Sequence, residues 1–315
     1  MRTMLAVTVV LALFSPSAQA QYSRAAGQNA PTQAVEREVR DQSTGKVIKQ
    51  TFVEPVAKDG HGNARGNDFD LAVDGAFDGQ TIAVIHLYMD GQFDFGLPKQ
   101  ALKEKGFSLY RWVGKAPSPK ELEEALKKSC QLWIIADSQR HLNDEHATII
   151  KRFFDAGHGV YIWGDNEPYY ADANFIAQKL FGASMSGNLM GDQTVGLEKA
   201  KGGQTVGLKR RHLLSTGLEY IYEGVTIATI APNDALQPLI YGSAGNLVAA
   251  YYEKNGKRAI LDGGFTRLYV KWDTAGTGRY VKNAAAWLVN AERFGPMVLG
   301  PAARAEQGGA AGGSR

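Results

Sequence analysis

The sequence predicts an α/β fold of three layers, in which a mainly parallel sheet lies between helices and continues into an antiparallel extension. Three observations lead to this prediction. Apolar strands alternate with amphipathic helices over the first half of the chain, a pattern typical of βαβ units. The earliest strands are continuous apolar runs, as expected for strands covered on both faces. The later strands are short and are joined by tight turns, which favours antiparallel pairing.

The parallel part begins with an apolar strand at residues 81–89. Ser118 and Glu121 form a capping box with Pro119 at the first helical position, so a helix should start there. Asn143 is the expected cap of a second amphipathic helix, and Pro168 is expected to open a third. The predicted order is strand TIAVIHLYM, helix LPKQALKEKG, strand FSLYRWV, helix from Pro119, strand QLWIIAD, helix DEHATIIKRFFDAG, strand GVYIWG and helix ADANFIAQKLFG.

The antiparallel part follows Gly182. The pentapeptide Gln-Thr-Val-Gly-Leu occurs at 193–197 and again at 204–208, and we interpret the pair as a glycine-hinged ribbon. The dipeptide Asn255-Gly256 lies between two apolar runs and predicts a β-hairpin. A closing helix is predicted from the stripe of Tyr280, Ala284, Trp287 and Leu288.

The N-terminus has the composition of a secretory signal peptide. Arg2 precedes an apolar run from Met4 to Phe14, and Ala18-Gln19-Ala20 supplies a small-x-small cleavage pattern. The run is too short to span a bilayer as a permanent anchor. We therefore expect a periplasmic or secreted protein that begins near Gln21 and has no transmembrane anchor after cleavage.

The remaining boundaries follow from composition. Residues 1–20 are the predicted signal peptide, 21–75 an N-terminal arm or small hairpin, 76–297 the α/β domain, and 298–315 a disordered Ala/Gly-rich tail.

Charge and cysteine content exclude several classes of function. The formal net charge is only +3, and the single basic block is Lys209-Arg210-Arg211, so no nucleic-acid partner is expected. That block is either an anion patch or a solvated loop. The one cysteine, Cys130, cannot form an internal disulfide and is expected to be a packed, inert thiol. No histidine pair has metal-ligand spacing, and we predict no metal site and no cofactor.

Polar residues follow the parallel strands at the point where each strand ends. Asp90 follows the first strand, Asp137 the third, and Asp165-Asn166-Glu167 the fourth. Carboxyl ends of parallel strands meet at one edge, where ligands bind in open α/β sheets. Clustered carboxylates would repel one another unless a cation or a hydrogen-bond donor compensates their charge. The candidates are Arg140, Arg267, a hard cation such as Ca²⁺ or Mg²⁺, and a polyol. Alternatively these residues only cap helices and turns.

Aromatic residues flank the same edge. Tyr169 and Tyr170 follow the fourth strand, and Phe265, Tyr269 and Trp272 follow the last one. Aromatic faces beside carboxylates and amides suit carbohydrate, because sugar C–H groups pack on rings while hydroxyls form hydrogen bonds. Trp163, inside a strand, is more typical of a core.

Four segments together resemble the class I glutamine amidotransferase-like superfamily, especially its ThuA-like, non-amidotransferase branch. They are IAVIHLY, LWIIAD with the following LNDEHATIIKRFFDAGHGVYIWGDN, HLLSTGLEYIYEG, and GKRAILDGGFTRLY, and they span most of residues 79–292. The resemblance implies a flavodoxin-like three-layer sandwich. It also marks His212, in the third segment, as a titrating group at the site.

The family's thiol chemistry is absent from the matching positions. Amidotransferases carry a catalytic cysteine at the strand–turn–helix corner, which here falls at Asp165-Asn166, and no His-x-Glu pair occurs near Gly263–Tyr269. We therefore expect a ligand-binding domain without that machinery, with a carbohydrate or an envelope protein as partner. The expected ligand-binding residues are Asp90, Asp165, Asn166, Glu167, Tyr169, Tyr170, His212 and Arg267.

Two other functions remain open from the sequence. One is an atypical hydrolase of sugars or amides that uses Asp165 or Glu167, with or without a divalent cation. The other is a structural envelope component whose arm at 21–75 docks a partner.

Overall fold

The computed structural model describes residues 25–305, except 92, 271, 273 and 274. The predicted signal peptide and its cleavage point lie outside the described residues, as do the last ten residues. No helix in the part of the chain that is described is both long enough and apolar enough to cross a bilayer.

The strands, in chain order, are β1 (Thr32–Arg40), β2 (Val47–Pro55), β3 (Thr81–His86), β4 (Ser108–Val113), β5 (Gln131–Ile135), β6 (Gly159–Trp163), β7 (Met185–Met190), β8 (Thr194–Gly196), β9 (Lys199–Lys201), β10 (Gln204–Leu208), β11 (Tyr220–Tyr222), β12 (Thr226–Ile230), β13 (Gln237–Tyr241), β14 (Leu247–Lys254) and β15 (Lys257–Asp262). The α-helices are α1 (Gly96–Glu104), α2 (Pro119–Leu126), α3 (Asp144–Asp155), α4 (Ala171–Phe181), α5 (Thr277–Leu288) and α6 (Ala291–Phe294).

One nine-stranded sheet organises the molecule, in the order β4-β3-β5-β6-β15-β14-β13-β10-β9. The strands from β4 to β15 are parallel, and those from β15 to β9 are antiparallel. Numbered along the chain, the parallel strands follow the flavodoxin-like order 2-1-3-4-5. The predicted α/β class, with a parallel sheet and an antiparallel extension, is confirmed.

Helices cover both faces of the sheet because the side chains of each strand alternate between the faces. Ile82 and Val84 of β3 belong to a core shared with α1 and α5. Ala83 and Ile85 belong to the opposite core, shared with α2, α3 and α4. The sheet is therefore the middle of three layers.

Local signals set most element boundaries where the sequence predicts them. Ser118 accepts from the Glu121 backbone and completes the predicted capping box of α2, and Asn143 caps α3. Asn255 and Gly256, with φ of 54° and 65°, make the predicted turn between β14 and β15. The prediction that Pro168 opens a helix is wrong: Pro168 lies in a turn, and α4 begins at Ala171.

The repeated pentapeptide forms two different structures. Its second copy is β10, which pairs with β9 in the predicted antiparallel ribbon. Its first copy contributes β8, which pairs with β11 instead. The interpretation as one ribbon is therefore correct only for the second copy.

Residues just outside both predicted boundaries of the α/β domain are buried in its core, although their composition placed them in an arm and a tail. Residues 32–55 form the expected hairpin of β1 and β2. Leu71, however, lies before the predicted domain start and is fully buried in the main core. The predicted disordered tail begins at 298, yet Leu299 and Ala303 are buried in the same core, and the Gly300 N–H donates to the Ala76 carbonyl.

Candidate functional site

The candidate site lies where the parallel strands end at their carboxyl edge. His86, Ile135, Trp163 and Asp262 end four neighbouring strands and lie in register across the sheet. All four are buried. Ligands of open α/β sheets bind just beyond this row, so the next residues of each strand–loop junction decide what the site can do.

A buried polar network holds the end of β15. The Asp262 carboxylate accepts from the Tyr161 hydroxyl at 3.1 Å, the Tyr280 hydroxyl at 3.2 Å and Arg267 Nη1 at 3.0 Å. Arg267 Nη2 donates to the Glu223 carbonyl at 2.8 Å. Arg267 therefore neutralises a buried carboxylate and fixes the turn after β15. It does not face an incoming ligand, because its side chain is fully buried.

Charge and burial oppose each other in this network. Burial raises the pKa of Asp262, while the Arg267 guanidinium and the two tyrosine hydroxyls act to lower it. Burial alone would lower the pKa of Arg267, but Asp262 together with Tyr280, Tyr161 and Asp165 outweighs burial, and the pKa is raised. Such a pair is costly to break because either partner alone would be a buried, uncompensated charge.

Asp165, one of the expected ligand-binding residues, is buried. Only 1% of the residue is accessible. Its carboxylate accepts from the Asn166 N–H at 2.9 Å and from the Thr266 N–H at 3.2 Å. Burial raises the pKa of Asp165 well above its usual range. Loss of solvent is therefore the main cause of the raised pKa.

The other two corner residues, Asn166 and Glu167, form hydrogen bonds with different parts of the chain. Asn166 Oδ1 accepts from the Thr226 hydroxyl at 2.8 Å, which ties the corner to β12. Glu167 is exposed, and its backbone N–H donates to the Gly187 carbonyl. The three consecutive residues thus do not converge on one pocket.

An aromatic layer covers the carboxyl edge; we use this name for Tyr88, Phe93, Tyr169, Phe265 and Tyr269. The rings are in mutual contact, with centroid separations of 4.3 Å for Phe93–Tyr269, 4.8 Å for Tyr88–Phe265 and 5.3 Å for Tyr88–Tyr169. Phe265 is buried and the other four are half-buried. The layer therefore presents ring surface to solvent on a rigid base.

Hydroxyl groups of the aromatic layer lead to a carboxylate. The Tyr269 hydroxyl donates to that of Tyr88 at 3.4 Å, and the Tyr88 hydroxyl donates to Asp90 Oδ2 at 3.4 Å. Burial raises the pKa of both tyrosines, so both stay protonated donors at neutral pH. Of the residues predicted at this edge, the structure brings together Asp90, Tyr169, Phe265 and Tyr269. Tyr88 and Phe93 were missed, although they flank Asp90 in the sequence.

His212 is not at this edge. Its Nε2 lies 3.7 Å from Glu253 Oε2, and its ring contacts Tyr251 at 4.3 Å. The adjacent His212 side chain, helped by Arg258, lowers the pKa of Glu253 to about 2. Glu253 pairs with Arg258 near the start of β15, whereas the site is at its end. Tyr170 packs on the opposite core and does not join the aromatic layer.

Cys130 lies just before β5, at the opposite end of the strands from the candidate site. Cys130 is buried, its Sγ–H donates to the Thr81 carbonyl at 3.3 Å, and burial raises its pKa to about 12. Among the residues that the structure describes, no group of three or more His, Cys, Asp or Glu side chains is placed to hold a metal ion.

The raised pKa of Asp165 predicts a pH-dependent stability difference. A carboxyl whose pKa is higher in the folded state makes folding less favourable as pH rises from about 4 toward that value, because the unfolded chain releases the proton first. Asp165→Asn removes this dependence but loses one matched acceptor, at a cost of about 1 kcal/mol. We expect the melting temperature of the variant, relative to wild type, to be higher at pH 7 than at pH 4. A difference that does not change with pH would show that Asp165 is ionised in the folded protein.

Comparisons with known proteins find solved structures of limited similarity. The sequence matches no protein-family model and no curated protein. Similar solved structures include a protein described as a GMP synthase subunit, from Thermoplasma acidophilum (TM-score 0.43, 11% identity, 68% of this chain and 96% of that chain). They also include a ThuA-like protein from Parabacteroides merdae (TM-score 0.44, 11% identity, 67% and 90%). A third is a carbohydrate deacetylase (TM-score 0.36, 15% identity, 68% and 32%). At such identities, no residue-by-residue equivalence follows from them.

Proposed function

We propose that the aromatic layer binds carbohydrate without transforming it. The observation that carries this proposal is the set of half-buried rings whose hydroxyls lead to Asp90. A sugar ring offers apolar C–H faces that pack on tyrosine and phenylalanine. Its hydroxyls can donate to the Asp90 carboxylate and to the hydroxyl oxygens of Tyr88 and Tyr269.

The layer is held in place before any ligand arrives. Phe265 and Tyr269 belong to the short turn that Arg267 anchors to Asp262. The Thr266 N–H in the same turn is bound to the buried Asp165. A rigid platform loses little conformational entropy on binding, which favours affinity. Asp165 thus supports the site from below and does not contact the sugar.

We also propose the setting of this binding. The signal-peptide pattern supports a location in the periplasm or outside the cell, where glycans are exposed. The strand order 2-1-3-4-5 and the sequence segments quoted above support membership of the class I glutamine amidotransferase-like superfamily, in a branch without the catalytic cysteine.

Glycan binding by aromatic-layer variants tests the proposal. We expect the protein to bind a subset of glycans on an array, and Tyr269→Ala to weaken the best binder at least about tenfold in calorimetry. Tyr269→Phe keeps the ring and should lose less. Tyr110→Ala is the matched control, because Tyr110 is exposed on β4, away from the layer. Equal losses for Tyr269→Ala and Tyr110→Ala would contradict the proposal.

A second candidate is hydrolysis of a sugar or amide with Asp165 as proton donor. The raised pKa of Asp165 favours it, because a general acid must keep its proton at neutral pH. It requires a movement that exposes Asp165, since this side chain is buried. Hydrolysis of a bound glycan that Asp165→Asn abolishes, with binding retained, would favour this candidate over binding alone.

A further inference from the structure

A cleft far from the aromatic layer is lined by two arginines of the Lys209-Arg210-Arg211 block. It has a volume of about 770 Å³, within the range of small-ligand sites. Its other walls come from Leu197 and the backbone segment 26–30. The cleft adjoins His212 rather than Asp262, so it is separate from the carbohydrate site proposed above.

The segment opposite the arginines is rigidly held. Asn29 is buried, and its Nδ2 donates to the carbonyls of Ser215 and Leu218 at 3.0 and 3.2 Å. The Gly27 N–H donates to the Thr216 hydroxyl at 2.9 Å. These bonds fix the wall over a long sequence separation, so the cleft is pre-formed.

The hydrogen bonds that position Arg210 and Arg211 do not neutralise the charges of their guanidinium groups. Arg211 has φ of 53°, in the left-handed region that non-glycine residues rarely adopt, and Asn29 Oδ1 accepts its N–H at 2.6 Å. The Arg210 Nε–H donates to the Glu198 carbonyl at 3.2 Å, which orients the guanidinium. Backbone strain that the surrounding structure maintains is typical of functional sites.

The cleft is electropositive. None of the residues that line it is acidic. The carboxylate of Glu198, just outside the lining, accepts from the Arg210 backbone N–H at 3.0 Å. Within the described part of the chain, neither Arg210 nor Arg211 forms an ion pair with it or with another carboxylate. Two unpaired guanidiniums in one concave site match the geometry of phosphate and sulfate, which accept paired N–H bonds.

We propose that this cleft binds a phosphate or sulfate group. The group belongs to a soluble ester or to a lipid headgroup, which present the same oxygens to Arg210 and Arg211. The Lys209 side chain lies outside the cleft, with its Nζ 6.0 Å from the Tyr251 ring centroid. Lys209 carries the same charge as the two arginines and lies in the same loop, so Lys209→Ala is a matched control.

Calorimetric titration of the full chain with inorganic phosphate and with pyrophosphate tests the proposal. We expect saturable binding that weakens at least about tenfold in Arg210→Ala and in Arg211→Ala, and less than about threefold in Lys209→Ala. Arg210→Lys keeps the charge and loses the paired donors, so it should fall between wild type and Arg210→Ala. Unchanged melting temperatures would show that each variant is folded.

Sedimentation with phosphatidylglycerol vesicles distinguishes the two sources. Arginine-dependent binding of free anions without vesicle binding assigns a soluble ester, and arginine-dependent binding to vesicles assigns a headgroup. Two results would overturn the proposal: no saturable binding in either format, or equal loss from Lys209→Ala and Arg210→Ala. Neither of these results involves the aromatic layer, so the carbohydrate proposal is tested independently of them.

Discussion

Arg267→Met should lower the free energy of unfolding by about 3–5 kcal/mol, because it leaves the Asp262 carboxylate buried without its cation. Urea unfolding monitored by tryptophan fluorescence measures the loss. Arg140→Met is the control: Arg140 is exposed and rests on the Phe175 ring, so about 0–1 kcal/mol is expected. The double variant Asp262→Asn/Arg267→Met should lose less than the two single losses combined.

The same substitution should also impair glycan binding. Arg267 lies in the turn that carries Phe265 and Tyr269, so releasing it frees the base of the aromatic layer. A loss of stability below about 1 kcal/mol would contradict the assignment of Arg267 to a buried ion pair.

Asp70→Ala is expected to have an effect of similar size, about 3–5 kcal/mol. The fully buried Asp70 carboxylate is paired with three cations: Lys105 at 2.9 Å, Lys282 at 2.7 Å and Arg279 at 2.7 Å. Its removal leaves the buried Lys105 with Asp74 as its remaining carboxylate partner among the described residues. This cluster fastens the segment before β3 to α1 and α5, so the loss should appear in global unfolding.

A neighbouring carboxylate provides the control for Asp70. Asp74 contacts the same Lys105 Nζ at 2.6 Å, but its side chain is 54% exposed. Asp74→Ala should therefore cost about 1 kcal/mol or less. Burial alone would raise the pKa of Asp70, but the three cations outweigh it and lower the pKa. The stabilisation should persist down to about pH 4 and be lost below it, as the carboxyl becomes protonated. Equal losses for Asp70→Ala and Asp74→Ala would contradict this account.

Much of the fold follows from signals that act over a few residues. The capping box at Ser118, the cap at Asn143 and the Asn255-Gly256 turn are local features, and all three form as predicted. The parallel strands could be predicted because β3, β5 and β6 are buried on both faces and are therefore mostly apolar. The edge that carries the candidate site follows from the same topology.

The environment of individual side chains could not be predicted in the same way. Asp165-Asn166-Glu167 has the composition of an exposed turn, yet the Thr266 N–H reaches Asp165 across a sequence separation of 101 residues. Likewise Tyr88 meets Tyr269 across 181 residues, which no periodicity reveals. His212 was assigned to the site because the residues around it in the sequence resemble a family segment. Its position in the fold is instead set by packing against Tyr251 and Glu253.

Tyrosine ring signals observed by NMR during glycan titration test the central claim most directly. In protein with ¹³C-labelled tyrosine, we expect the ring signals of Tyr88, Tyr169 and Tyr269 to shift saturably with one dissociation constant. The signals of Tyr110 and Tyr220, both exposed outside the aromatic layer, should stay unchanged. Saturable glycan binding that moves Tyr110, Tyr220 or Tyr251 while leaving Tyr88, Tyr169 and Tyr269 in place would show that the carbohydrate site is not at the carboxyl edge of the sheet.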